Sequence, residues 1–172
     1  MALVLRRTAL FFAIVAMWVL IAAAIAHAAP AEVPLTGYKP GTIVVKTSER
    51  TLYYVLKDER ALKFPVGVGK DGQQWSGTAR VRGKYLNPAW APPADIRREN
   101  PKLPRVVKGG APNNPMGVAA LTLNDGTYAI HGTNRPSSIG RFVSHGCIRM
   151  YNEDIRQLYR LARIGTPVIV EQ

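Results

Sequence analysis

Residues 41–56 read Gly41-Thr42-Ile43-Val44-Val45-Lys46-Thr47-Ser48-Glu49-Arg50-Thr51-Leu52-Tyr53-Tyr54-Val55-Leu56, two β-branched and aromatic runs parted by a polar turn. Val, Ile, Thr and Tyr pack well on a pleated surface, whereas a helix restricts their χ1 torsions. The triplet Ser48-Glu49-Arg50 therefore predicts a β-hairpin between residues 42–45 and 51–56. Outward from it, residues 61–68 form a third strand, ended by Gly67, Gly69 and Asp71-Gly72, and residues 78–81 a fourth. Residues 118–123 and 127–130 flank Asn124-Asp125-Gly126, a strong hairpin signal, and residues 167–170 make a last strand. One helix is clear, over residues 155–163 near the C-terminus. Ile155, Leu158, Tyr159, Leu161 and Ala162 share one face, Asn152 is placed to cap it and Gly165 to end it. Many short strands with a single helix predict a mainly β fold, a sandwich or a barrel.

The first residues follow a different rule. Arg6 and Arg7 precede an apolar run over residues 9–26, which closes on Ala26-His27-Ala28. That order is a secretory signal peptide over residues 1–28. The run exceeds the roughly 7–15 residues usual for such a segment, so an uncleaved anchor is the second reading. Either way the arginines keep the leading end in the cytoplasm and the remainder is exported. Residues 29–40, rich in Ala, Pro and Gly, read as a linker, and residues 41–172 as one domain. The formal charge is +12. Export, and the lack of basic runs alternating with aromatics, argue against nucleic acid as the partner. What remains is a well-solvated surface or attraction to an anionic polymer or membrane.

Residues 87–117 carry Pro88, Pro92, Pro93, Pro101, Pro104, Pro112 and Pro115, with Gly109-Gly110 and Asn113-Asn114. Such proline density excludes a long helix or a central strand. A loop of this length in a compact domain is either a lid over a site or a surface excursion covering core.

The chain has one cysteine, Cys147, and an exported lone cysteine has no internal disulfide partner. It lies in Ser144-His145-Gly146-Cys147-Ile148-Arg149, and His131 stands sixteen positions upstream in Ile130-His131-Gly132-Thr133. A thiolate is the effective nucleophile, and a neighbouring imidazole can take the thiol proton and later return it to a leaving amine. His131, arriving from another strand, is the expected base, and His145 a supporting group. The N–H groups of Gly146 and Cys147 are candidate oxyanion donors. Arg149 either steadies charge near the sulfur or serves as an ordinary surface ion-pair partner. A zinc site on His131, His145 and Cys147 is the competing chemistry. Against it stand the missing C-x-x-C or H-x-x-x-H pair and the missing acid beside the cluster. No metal or other cofactor is expected.

Ile130-His131-Gly132-Thr133-Asn134, then Ser137, Ile139 and Gly140, then Ser144-His145-Gly146-Cys147-Ile148-Arg149-Met150 closely resemble the signature of the L,D-transpeptidases, the YkuD or ErfK/YbiS family. Lys63-Phe64-Pro65-Val66-Gly67-Val68-Gly69, Asn87-Pro88-Ala89-Trp90, Asn114-Pro115-Met116-Gly117 and Gly165-Thr166-Pro167-Val168 resemble its other blocks. The resemblance implies a β-sandwich of mixed sheets with the cysteine in a cleft beneath a loop. It implies Cys147 as nucleophile and His131 as base, with the Gly132 carbonyl orienting the imidazole. Ser144, His145, Gly146 and Arg149 would shape the pocket. The implied substrate is the tetrapeptide stem of peptidoglycan, cut after its diamino acid with release of D-alanine, in the periplasm. The implied acceptor is the side-chain amine of another stem. An outer-membrane lipoprotein, a free D-amino acid and water stay open as alternatives.

Overall fold

The computed structural model describes residues 30–124 and 128–172. The leader expected over residues 1–28, and most of the turn expected at Asn124-Asp125-Gly126, lie outside the described residues.

The elements run β1 (Ala31–Pro34), β2 (Ile43–Lys46), β3 (Thr51–Val55), β4 (Arg60–Pro65), β5 (Val68–Gly69), β6 (Gly77–Leu86), α1 (Ala94–Glu99), β7 (Ala119–Leu123), β8 (Ala129–His131), β9 (Phe142–Ser144), β10 (Ile148–Arg149), α2 (Asn152–Leu161) and β11 (Pro167–Glu171). The fold is mainly β, with mixed sheets. One ladder has the order β1-β4-β3-β2-β11-β6-β7-β8-β10, and β5 pairs with β9 separately. The opening hairpin forms as read, Ile43 facing Tyr54 and Lys46 facing Thr51. β11 then lies parallel to β2, and β10 parallel to β8.

β6 holds the long ladder together. Its first half pairs with β11 and its second half with β7, with a register shift between Val81 and Gly83. Such an irregularity bends a strand and raises its local twist. The two halves of the ladder thereby close over one core. Ile43, Leu52 and Phe64 from one half pack in the same buried cluster as Leu121, Ile130 and Ile148 from the other, and α2 adds Ile155 and Leu158.

Several expectations need correction. Residues 31–34 fall in the expected linker, yet they form β1 and pair antiparallel with β4. The third strand does not run unbroken over residues 61–68. It stops at Pro65, which has no N–H to give a ladder, and resumes as β5. Residues 87–117 hold no long helix, as expected, but do contain α1, six residues fitted between Pro93 and Pro101. Asn152 does not cap α2; it is its first residue, and the preceding Tyr151 takes the cap position. The Asn152 side-chain oxygen instead accepts the N–H groups of Val118 at 3.3 Å and Thr133 at 3.1 Å. It pins the chain entering β7 to the chain leaving β8.

Candidate active site

Two short parallel strands set Cys147 and His131 at neighbouring register positions. Ile148 pairs with Ile130 and Arg149 with His131. Cys147, one residue before Ile148, thus enters beside Ala129, whose backbone N–H favours its thiolate. Arg149 stands opposite His131 on the neighbouring strand. Its guanidinium acts electrostatically on both the Cys147 sulfur and the His131 ring.

His131 is 4% exposed. Its Nδ1–H donates to the Gly132 carbonyl at 2.6 Å. A carbonyl can only accept, so the proton of the neutral ring sits on Nδ1 and Nε2 is left bare. Burial pulls the His131 pKa down to about 4, helped by the Arg149 charge and opposed by the carbonyls of Gly132 and Pro115. Burial also pushes the Cys147 thiol up, against the Ala129 N–H and Arg149, which favour the thiolate, and Asp95 raises it further. Burial thus works against charge on both groups, favouring the thiol at Cys147 and the neutral ring at His131.

Ser144 fixes the turn that carries the sulfur. Its hydroxyl donates to the Cys147 carbonyl at 2.6 Å and accepts the Gly146 N–H at 3.1 Å. This corrects the expectation for Gly146, whose N–H is spent inside the turn. The Cys147 N–H is the remaining backbone donor of the two expected at an oxyanion. Gly146 is needed for its backbone: φ is +108°, and a Cβ there would collide with the Tyr128 ring. Trp75 holds the same turn from outside. Its indole N–H donates to the Gly146 carbonyl at 2.9 Å, and its ring stacks on Tyr128 at 4.8 Å. Gly132 is likewise confined, since a Cβ would strike the Asn152 side-chain oxygen.

His145 does not join His131 and Cys147. Its Nε2 meets the Glu99 carboxylate at 3.0 Å and 3.1 Å, and Lys70 Nζ lies 3.4 Å from that nitrogen and 3.5 Å from Glu99. The three proposed zinc ligands of the competing chemistry are thus divided, and among the described residues no group of three His, Cys, Asp or Glu side chains is placed to hold a metal. Glu99 ends α1, so this cluster fastens the proline-rich excursion to the thiol-bearing segment. The excursion is itself tied by Asn114, whose side-chain N–H groups donate to the carbonyls of Pro88 at 2.8 Å and Lys108 at 3.0 Å. Sequence reasoning missed Lys70, Trp75, Tyr128 and Glu99. Glu99 is one of two acids, with Asp95, in an otherwise basic insertion, and that was the available signal for it; nothing local marks the others.

The fold and this arrangement put a buried imidazole and a turn carrying the thiol on adjoining strands of a mainly β scaffold. The YkuD family model, described as the L,D-transpeptidase catalytic domain, matches residues 40–170, and the chain belongs to that family. It is 41% identical over 133 residues to the probable L,D-transpeptidase YbiS of Escherichia coli K12, a match covering 73% of this chain and 43% of that protein. It is 41% identical over 140 residues to the probable L,D-transpeptidase ErfK/SrfK of the same organism, covering 76% and 44%. The chain thus spans less than half the length of these relatives. An L,D-transpeptidase structure from Mycobacterium smegmatis shares the fold, with a TM-score of 0.60 at 22% identity, covering 76% of this chain and 58% of that one.

Proposed function

We propose that the protein is an exported L,D-transpeptidase that forms a thioester on Cys147 with a peptidoglycan stem tetrapeptide, releases D-alanine, and passes the acyl group to an amine in the cell wall. The observation that carries this reading is the Cys147–His131–Arg149 arrangement across β8 and β10, with a bare Nε2 on a buried imidazole.

As the sulfur attacks the donor carbonyl, His131 Nε2 takes the thiol proton. The Cys147 N–H faces the developing oxyanion. Collapse breaks the C–N bond, and His131 returns the proton to the departing amine. An acceptor amine then attacks the thioester, loses a proton to His131, and the sulfur leaves and recovers it. With water in place of the amine, the same steps give a carboxypeptidase or endopeptidase. A pair in which burial disfavours charge suits this cycle, because the proton crosses only while charge develops on the carbonyl oxygen. Residues 1–28 serve as the export signal, and the periplasm is the place of action.

Incubation of the purified protein with a stem tetrapeptide or a carbapenem should give a covalent adduct by mass spectrometry, and Cys147→Ala should abolish it. An adduct on the variant would overturn the assignment. Products formed with and without added amine identify the acceptor.

A further inference from the structure

The tip of the proline-rich excursion is held to the rest of the domain at a single point. Its base is braced by neutral groups. The Trp90 N–H donates to the Val107 carbonyl at 2.9 Å and the Val107 N–H to the Trp90 carbonyl at 2.8 Å, while the buried Asn114 side chain ties Pro88 to Lys108. Beyond those braces, residues 91–106 bond to one another. The Arg97 guanidinium donates to the Pro92 carbonyl at 3.3 Å, the Asn100 N–H to the Ile96 carbonyl at 3.0 Å and the Leu103 N–H to the Asn100 carbonyl at 3.2 Å. Among the described residues, the exception is Glu99. Its carboxylate leaves the excursion to meet His145 Nε2 at 3.0 Å and Lys70 Nζ at 3.5 Å.

That point lies beside the nucleophile. His145 stands two positions before Cys147, on the turn that Ser144 fixes, and Cys147 is only partly exposed. Two charges face the His145 ring: the Glu99 carboxylate from α1, and the Lys70 ammonium from the segment after β5, 3.4 Å from Nε2. Asp95, also on α1, acts on Cys147 instead. A carboxylate can only accept, so the ring nitrogen that meets Glu99 bears the proton and donates it. With a neutral ring this contact is a hydrogen bond, and with a protonated ring it is an ion pair. Lys70 sets the sign of the proton's effect. Once α1 lifts away, a protonated His145 faces the Lys70 ammonium with no anion between them. While α1 is down, Glu99 touches both cations. Protonation of His145 therefore favours the closed arrangement. Glu99 stays ionised in mild acid, because its hydrogen bond with His145, aided by Lys70, holds its carboxyl below the usual carboxylate range.

We propose that Glu99, His145 and Lys70 form a proton-operated latch: in mild acid it holds α1 down beside the thiol-bearing turn, and above neutrality it loosens and admits bulky molecules to Cys147. The braces at the base use backbone groups and a neutral amide, so they stay made at every pH in this range and α1 swings on them. α1 buries none of its own residues, so little apolar contact opposes the movement. Exposed ion pairs are weak, and the latch accordingly shifts access a few-fold instead of closing it off. The latch concerns the path to the sulfur, and it holds whether or not Cys147 acts on peptidoglycan stems.

Two reagents with the same reactive group test it: N-ethylmaleimide and a polyethylene-glycol maleimide. The ratio of their rates on Cys147, bulky over small and normalised at each pH to the same ratio for a small free thiol, cancels changes in thiolate population. In the unaltered protein this ratio should rise about threefold between about pH 5 and about pH 8, the range in which imidazoles change charge. Glu99 is exposed, so Glu99→Gln should fold normally, and its ratio should stay near the high-pH value throughout. His145→Gln keeps a donor for Glu99 but cannot titrate, so its ratio should not vary with pH. A ratio that is flat or falls with rising pH in the unaltered protein, or a pH response retained in either variant, overturns the latch. Hydrogen exchange over residues 94–99, corrected for the intrinsic pH dependence of exchange, gives a second readout. It should be slower at the lower pH in the unaltered protein and equal at both in His145→Gln. Equal exchange at both pH values in the unaltered protein would mean that α1 does not respond to the proton, and overturns the latch as well.

Discussion

Burial acts oppositely on the acid and the base of the site: it keeps the proton on Cys147 and keeps it off His131. The second effect reaches global stability. The unfolded imidazole takes a proton below its ordinary value of 6.5, while the folded one resists until about 4. Between those values the unfolded state binds more protons, so stability falls as pH falls through that window. The difference amounts to about 3 kcal/mol between pH 7 and pH 4. Denaturation at a series of pH values should show this slope, and His131→Asn should flatten it by about that amount. A variant with the unaltered slope would mean that the ring is protonated or solvated in the folded state. The residues of this site were legible to different degrees for a physical reason. Cys147, His131, His145 and Arg149 crowd into one stretch in which thiol chemistry explains each type, while Gly132 and Ser144 were marked only by the family resemblance. Trp75 meets the Gly146 carbonyl across 71 positions, and nothing about an isolated tryptophan announces that. The charge state of the pair was not legible either, because it depends on burial that only the folded strands create.

Among the elements, α1 has the weakest claim to its place. It buries none of its residues, and it is six residues long, too short to persist on helix propensity alone. Its end is fastened by Glu99 to His145 and Lys70. Glu99 is 56% exposed, so the pairing adds little to global stability, on the order of 0–1 kcal/mol. Its larger effect is local. Glu99→Gln should leave the unfolding midpoint nearly unchanged while hydrogen exchange across residues 87–117 rises severalfold by mass spectrometry. Unaltered exchange would show that Asn114 and the Trp90–Val107 backbone bridge hold the excursion without help. The strands with β-branched runs were readable because their composition and their burial agree. β1 was not, since Ala31-Glu32-Val33-Pro34 has little strand preference and forms only because β4 offers an edge. α1 was hidden by the prolines on either side, which exclude a long helix but still admit one short turn and a half. Asn152 misled for a similar reason: an Asn before an apolar face is a good cap, but here its amide oxygen is used across the fold.

At the level of the whole molecule, sheet order was the least legible feature. Hairpins follow from neighbouring runs, but the parallel pairing of β11 with β2 joins strands from opposite ends of the domain, and no local pattern encodes it. That pairing, with β6 bridging both halves, makes the domain one structure whose main core is shared by both halves, while Val44, Tyr53, Val55 and Ala61 form a smaller cluster under β1. The site depends on this unity. β8 and β10, which carry His131 and Arg149, sit at one end of the ladder, while the opening hairpin sits toward the other. Phe64 and Leu121 sample the two halves, and both are 0% exposed. Phe64→Ala should cost about 3–5 kcal/mol and Leu121→Ala about 2–5 kcal/mol. Because the cavity opens in a shared core, each variant should still unfold in a single transition, with near-ultraviolet dichroism and far-ultraviolet dichroism coincident. Separate transitions in either variant would mean that the halves are independent. In that case, loosening the hairpin half would leave the β8–β10 site intact while the remainder melted, and thiol alkylation of Cys147 would lag behind loss of secondary structure. With a shared core, the two should rise together.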